Sequence, residues 1–480
     1  MPFPTLPFAA FFLVVLALTW LVRRSRAWRN ALLLLASYIF YAGWSPRLAL
    51  LLLGSSVVTW ALGEAVARAQ PGPRGWWTGI AVTLNVAFLG FFKYCGFFLE
   101  NVDSLVTALG LGVHLPVLEV LLPVGISFFT FQNIAYVVDL HRGHGVKAKS
   151  LWDYLLFVSF FPQLLIGPIC RSRDLLPQIE AAPPQQVPDL SRAVSLIASG
   201  VFKKVVLATF MQTHLVDNAF LAPENYGSFD LLVAAYAYTI LLYFDFSGYT
   251  DMARGIGLLL GFHLPENFNQ PYRSTSIAEF WRRWHMTFGN WLRDYIYFPL
   301  GGGKKKPLRV YVNLMITLLV AGFWHGAHWK YLIWGGIHGS GIVAYKVVQD
   351  RRKARGISAR DLTFSWWYTA LAWAWTFHLV VFARILFKTA DLDVAGTYWW
   401  TMLSALWTGD WAGQGVEWLI LVFIGLGLAL NFWGQHVRRW FIEAHERVPA
   451  ALRPVVWVGL GVLLLALQPD DVAPFVYFQF

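Results

Sequence analysis

Three histidines of this chain sit where ionisable side chains are costly. His285 follows Phe280-Trp281-Arg282-Arg283-Trp284, His325 follows Phe323-Trp324, and His338 is bracketed by Gly335, Gly336 and Gly339. Burial disfavours the imidazolium, so each ring is a candidate neutral base for a hydroxyl proton. His338 is the strongest of the three. A helix that starts on the outer side after His325 and returns to the basic cluster at Arg351 carries His338 about ten residues in. That is roughly 15 Å, near the bilayer midplane. The glycines around it remove side-chain bulk and permit close approach by another helix or a substrate. His285 falls on an apolar face with Trp281, Phe288 and Leu292, where a satisfied core histidine is the default reading. His325 and His328, three apart, could share a helix face as metal ligands. No carboxylate or third ligand stands at diagnostic spacing, so no metal is expected.

Other polar residues mark the same third of the chain. Asp245 lies about midway along an apolar run that starts near Leu231, where a charge points to a protein interior or a water-filled cavity. Asp251 and Arg254, three apart, read equally as a functional pair and as a helix-end ion pair. From Ile277 to Tyr297 the apolar residues recur at helical spacing, with Glu279, Arg282, Arg283, Asn290, Arg293 and Asp294 largely opposite them. The pattern predicts one amphipathic helix at the cytoplasmic membrane surface. Its basic face, flanked by Arg273 and Lys304 to Lys306, suits anionic lipid or a phosphorylated donor. The residues expected to meet substrate are Asp245, Trp281, Arg282, Arg283, Trp324 and His328.

The elements that position these residues must be membrane helices. The 480 residues are 57% hydrophobic and only 14% charged, too little polar surface for a soluble globule. Apolar runs of about 20 residues recur, as at Leu48 to Val66, Val120 to Val138 and Phe364 to Phe387, and lipid leaves the backbone no partners outside a helix. The fold class expected is all-α: a polytopic transmembrane bundle of about a dozen spans with re-entrant or interfacial helices, forming one domain over residues 1–480. The stretch Leu151 to Val216 holds two apolar runs but must cross once to keep the charges consistent. One run is then re-entrant or interfacial, as Lys203 and Lys204 in mid-run suggest.

The net charge of +11 sits in short loops, so its role is topological and no nucleic acid is implied. Basic loops alternate with loops free of Lys and Arg, which puts the N-terminus outside. The opening Met-Pro-Phe-Pro lacks a basic n-region, so the first span is expected to be retained. Cys95 and Cys170 form no disulfide framework or metal spacing.

Several ordered motifs resemble the membrane-bound O-acyltransferase superfamily, and within it the membrane subunits of bacterial alginate O-acetylation. They are Tyr38-Ile39-Phe40-Tyr41-Ala42-Gly43-Trp44, Leu122-Pro123-Val124-Gly125-Ile126-Ser127-Phe128, Gly167-Pro168-Ile169, Phe244-Asp245-Phe246-Ser247-Gly248-Tyr249, Phe280 to His285, Phe323-Trp324-His325-Gly326 and the terminal Phe478-Gln479-Phe480. Teichoic acid D-alanyl transferases and peptidoglycan O-acetylation proteins share the outline. The resemblance implies an enzyme of the bacterial inner membrane with no bound cofactor. It would take acetyl-CoA from the cytoplasm as acyl donor and pass the acyl group through a membrane tunnel. A periplasmic SGNH-hydrolase-like acetyltransferase partner would then carry it to a polysaccharide acceptor. The superfamily's essential histidine maps onto His338, with His325 a contender and His285 as a second polar residue of the reaction chamber. The alternative is a transporter or scaffold subunit without covalent chemistry of its own.

Overall fold

The computed structural model describes residues 3–111, 122–357, 365–411, 413, 415–466 and 475. All regular structure among the described residues is helical. Among the described residues, seven helices are long and apolar enough to cross a membrane: Pro46–Arg68, Pro71–Ala108, Leu190–Leu221, Ser228–Leu259, Pro307–His325, Trp366–Lys388 and Trp418–Arg447. This count does not confirm the expected dozen or so spans. Leu6–Leu21 is a shorter apolar helix, and Trp329–Ala354 ends in a basic turn. In the stretch 151–216 the first run folds as the short pieces Leu151–Ser159 and Phe161–Leu164, and only Leu190–Leu221 is long enough to cross. The terminal motif 478–480 and the starts of the 120–138 and 364–387 runs lie outside the described residues.

The helices gather into two compact units, Met1–Ile197 with Thr250–Pro265, and Ala198–Tyr249 with Glu266–Phe480. In the first, Pro46–Arg68 packs on Pro71–Ala108 and Ile126–His141, and Arg26–Ala42 packs on Leu151–Ser159. A buried arginine ties this unit together. Arg29 donates to the Ile179 carbonyl at 2.7 Å and to Asn30 Oδ1 at 3.0 Å, and Asn30 reaches Asp153 at 3.2 Å.

The second unit holds all the candidate residues except Asp251 and Arg254, which belong to the first. Ser228–Leu259 is apolar on every side and buried over 83% of its most apolar window, as a helix enclosed by others must be. Pro307–His325 and Trp329–Ala354 form a tight helical hairpin. A Cβ built on Gly322 would stand 2.1 Å from the Tyr331 carbonyl oxygen, and one on Gly335 would stand 2.5 Å from that of Leu318. Only glycine lets the two backbones approach this closely. Lys330 then fastens the hairpin to the next helix, donating to the Thr389 and Ala390 carbonyls at 2.5 and 3.1 Å, beyond the C-terminus of Trp366–Lys388. Large apolar side chains such as Trp375 and Trp440 remain exposed, which is the surface lipid covers.

One expected element is corrected. The residues 277–297 do not form a single amphipathic helix: Ile277–Arg283 ends at Trp284, Met286–Leu292 restarts, and Arg293–Tyr297 follows as a π turn. His285 makes the break with φ 43°, a left-handed conformation rare for a side chain with a Cβ. Asn267 secures it. Its Oδ1 receives the Thr287 hydroxyl at 2.9 Å and the Thr287 N–H at 3.3 Å, and its carbonyl receives the Met286 N–H at 2.8 Å.

Candidate active site

The hairpin and its neighbours converge on a cavity of about 10 Å³, near the least space that holds one water molecule. His325 ends the first hairpin helix, and Trp334 and His338 come from the second. Phe280 and Trp284 come from Ile277–Arg283 and its cap, Arg384 and Phe387 from Trp366–Lys388, and Leu242 from Ser228–Leu259. The imidazoles are packed by aromatic rings: His325 lies 5.1 Å from Trp334 and 4.8 Å from Phe387, and His338 lies 4.5 Å from Trp334. Both histidines are buried.

The His338 ring is oriented by Trp281, whose indole N–H donates to Nδ1 at 3.3 Å. An indole can only donate, so Nδ1 presents its lone pair there and the neutral ring carries its proton on Nε2. Neither His338 Nε2 nor Trp334 Nε1 has a hydrogen-bond partner among the described residues, though both are buried. Such groups are uncommon in native structures and mark places where a ligand or water completes the bonding.

Arg384 is the site residue that sequence reading missed. Its Nη1 donates to the Thr239 carbonyl at 2.8 Å and to the Tyr272 hydroxyl, and its guanidinium lies 4.2 Å from the centre of the Trp284 ring. No carboxylate pairs with it among the described residues. The signal was present: an arginine within an otherwise apolar membrane run is a functional pointer in its own right.

The remaining candidates fall outside the cavity lining. His285 Nδ1 meets Asn267 Oδ1 at 3.1 Å; this oxygen only accepts, so the imidazole donates. His285 is packed by Phe246 and Phe288, one layer from the cavity wall formed by Trp284 and His325. Asp245 holds Lys204 at 2.5 Å, with both side chains 1% exposed. Trp324 stacks on Phe288 at 4.3 Å. His328 caps Trp329–Ala354, its Nδ1 accepting the Lys330 N–H at 3.2 Å, so it and His325 do not share a helix face. Arg283 braces the loop before it, donating to the Asn269 carbonyl at 3.2 Å and to Glu279 at 2.9 Å, while Arg282 is exposed. For Glu279, partial burial pushes the carboxyl up, but bonds from Thr275 and Arg283 prevail and hold it below its usual range. Asp251 and Arg254 form the ion pair their spacing suggested, at 3.9 Å.

Comparison with known proteins decides the family. The model for the membrane-bound O-acyltransferase family matches residues 146–387, a span that includes Arg384 and the three histidines. The chain belongs to this family. The probable alginate O-acetylase AlgI of Pseudomonas putida is 36% identical over 94% of this chain and 95% of its own length. The peptidoglycan O-acetyltransferase of Helicobacter pylori is 35% identical over 76% of this chain and 71% of its own. The teichoic acid D-alanyltransferase of Bacillus subtilis is 30% identical over 55% and 68%. As a member of the membrane-bound O-acyltransferases the chain is an acyltransferase with several membrane-crossing helices, and its buried cavity stands in the matched region.

Proposed function

We propose that this membrane acyltransferase moves an acetyl group from cytoplasmic acetyl-CoA across the bacterial inner membrane to O-acetylate an exopolysaccharide such as alginate. The observation that carries the reading is the aromatic-walled cavity where His325, His338 and Arg384 meet, within a chain similar to an alginate O-acetylase over nearly its whole length. Donor phosphates suit the basic end of Trp329–Ala354, with Arg351, Arg352 and Lys353, and the exposed Arg282. The N-terminus is periplasmic in this reading. A soluble SGNH-hydrolase-like acetyltransferase in the periplasm receives the acetyl group and delivers it to the sugar.

His325 and His338 handle the proton and polarise the thioester, while His285, held by Asn267, positions the wall behind them. Trp281 fixes the His338 ring, and Asp245, Arg283, Trp324 and His328 shape the chamber from outside its lining. An acetyl group fits better than an aminoacyl group. A D-alanyl ammonium beside the Arg384 cation, with no carboxylate among the described lining residues, would meet like-charge repulsion in a low-dielectric site.

The test is transfer of label from radioactive acetyl-CoA in proteoliposomes carrying wild type, His325→Ala or His338→Ala at matched insertion, with the partner acetyltransferase added. Label on the partner or its glycan, lost in either variant, is the expected result. Full transfer by both variants would remove the two histidines from the reaction.

A further inference from the structure

Beside His325, three polar groups that line the cavity offer protons. Trp334 presents an indole N–H and Arg384 a guanidinium. His338, with Nδ1 engaged by the Trp281 donor, turns Nε2–H toward the same space. Among the described residues, the lining contains no carboxylate and no hydroxyl. A chamber built to pull a proton from a hydroxyl needs one acceptor. A chamber built to hold a developing negative charge needs several preorganised donors in a water-poor site.

We propose that Arg384, His338 Nε2–H and Trp334 Nε1–H form the oxyanion-binding group of the acyl transfer, with Arg384 as its cationic member and Trp281 as the residue that sets the His338 tautomer. The inference rests on the acetyl-transfer reading above. In the step, the acceptor hydroxyl oxygen forms a bond to the thioester carbonyl carbon and its proton passes to His325. The carbonyl π pair moves onto oxygen, where the three donors stabilise it. Collapse restores the C=O bond, breaks the C–S bond, and the departing thiolate takes the proton back from the His325 imidazolium.

Two features of Arg384 argue for this role over a structural one. Its guanidinium has no partner carboxylate among the described residues, so its charge is left for a ligand to neutralise. It is also held without one, by the Thr239 carbonyl, the Tyr272 hydroxyl and the face of Trp284, so the cation is fixed before any anion forms.

The experiment compares wild type, Arg384→Gln, Arg384→Lys and Gly336→Ala in the proteoliposome assay, using acetyl-CoA and dithioacetyl-CoA, in which sulfur replaces the carbonyl oxygen and accepts hydrogen bonds poorly. Arg384→Gln should lower kcat by about 10²–10³-fold with KM for acetyl-CoA unchanged. Arg384→Lys should fall between the two. Gly336→Ala, on the same hairpin helix but with an added Cβ that meets nothing within 4 Å, should stay within about threefold of wild type. Wild type should favour acetyl-CoA over dithioacetyl-CoA strongly, and that preference should shrink at least about tenfold in Arg384→Gln. Arg384→Gln within threefold of wild type, a loss confined to KM, or an unchanged oxygen-to-sulfur preference would overturn the assignment while leaving acetyl transfer intact. Absence of transfer by wild type itself would instead overturn the reading beneath it.

Discussion

Replacing Gly335 with alanine tests whether the close approach of the hairpin backbones sets the catalytic geometry. The added Cβ would stand 2.5 Å from the Leu318 carbonyl oxygen and 3.2 Å from both Leu318 C and Leu319 Cα. All three are backbone atoms, so no side chain can rotate aside. Between 2.5 Å and the ordinary contact limit of 3.4 Å lies about 0.9 Å, which Trp329–Ala354 must yield by moving away from Pro307–His325. His338 is three residues on, and His325 belongs to the other helix. A shift of this size stretches the 3.3 Å Trp281 bond beyond hydrogen-bonding range and separates two imidazoles that share a cavity of about 10 Å³. Misplacement by about 1 Å costs on the order of 10²-fold in rate. Overpacking costs roughly 1–3 kcal/mol of stability, offset by roughly 0.5–1 kcal/mol from alanine's better helix propensity. Gly336→Ala is the control, because its Cβ meets nothing within 4 Å. It should gain the propensity term and keep the wild-type rate. The assay is initial-rate acetyl transfer in proteoliposomes, with thermal unfolding in detergent alongside. Gly335→Ala turning over at the wild-type rate would refute the link between backbone approach and chemistry.

Two further outcomes follow from ion pairs outside the cavity. Asp245→Asn leaves the buried Lys204 ammonium without the carboxylate at 2.5 Å and should cost about 3–5 kcal/mol in unfolding measurements, most of it recovered in the Lys204→Met/Asp245→Leu double variant; a single variant as stable as wild type would contradict the pairing. Glu279, held below its usual range, stabilises the 275–283 turn while ionised, so its contribution is present above the unfolded value of about 4.3 and disappears as pH falls through the lower folded value. The stability gap between wild type and Glu279→Gln should therefore be open at pH 7 and closed in strong acid, and a gap that widens on acidification would reverse the sign.

What could be read from the sequence and what could not divide along a physical line. The hairpin bearing His325 and His338 was legible because its evidence is local: an apolar run, a His-Gly stop, a return to arginines, and glycines at the crossing. The break at His285 was not, since the 277–297 pattern is a sound amphipathic helix taken alone. It is interrupted by Asn267, 18 residues earlier, whose side-chain oxygen and carbonyl collect the bonds that a continuous helix would have used. The stretch 151–216 was legible through charge, which allowed its two apolar runs a single crossing. Leu151–Ser159 is as apolar as a membrane span but nine residues long and almost wholly buried in its own unit, so hydropathy there records protein interior, not lipid.

Arg384 shows the opposite failure. A single charge in a long apolar run barely changes a window average, whereas the adjacent Lys203 and Lys204 stood out in theirs. Lys204 finds Asp245 across 41 positions; Arg384 is given carbonyl, hydroxyl and ring contacts and no carboxylate among the described residues. Three lysine and arginine side chains are buried among the described residues of the second unit: Lys204 is matched by an acid, Lys330 is spent on the carbonyls that end Trp366–Lys388, and Arg384 alone lines the cavity. The matched residue is satisfied within the fold. Arg384 instead faces a cavity with His338 and Trp334, where the proposed transfer would raise a negative charge only while an acyl group is in transit.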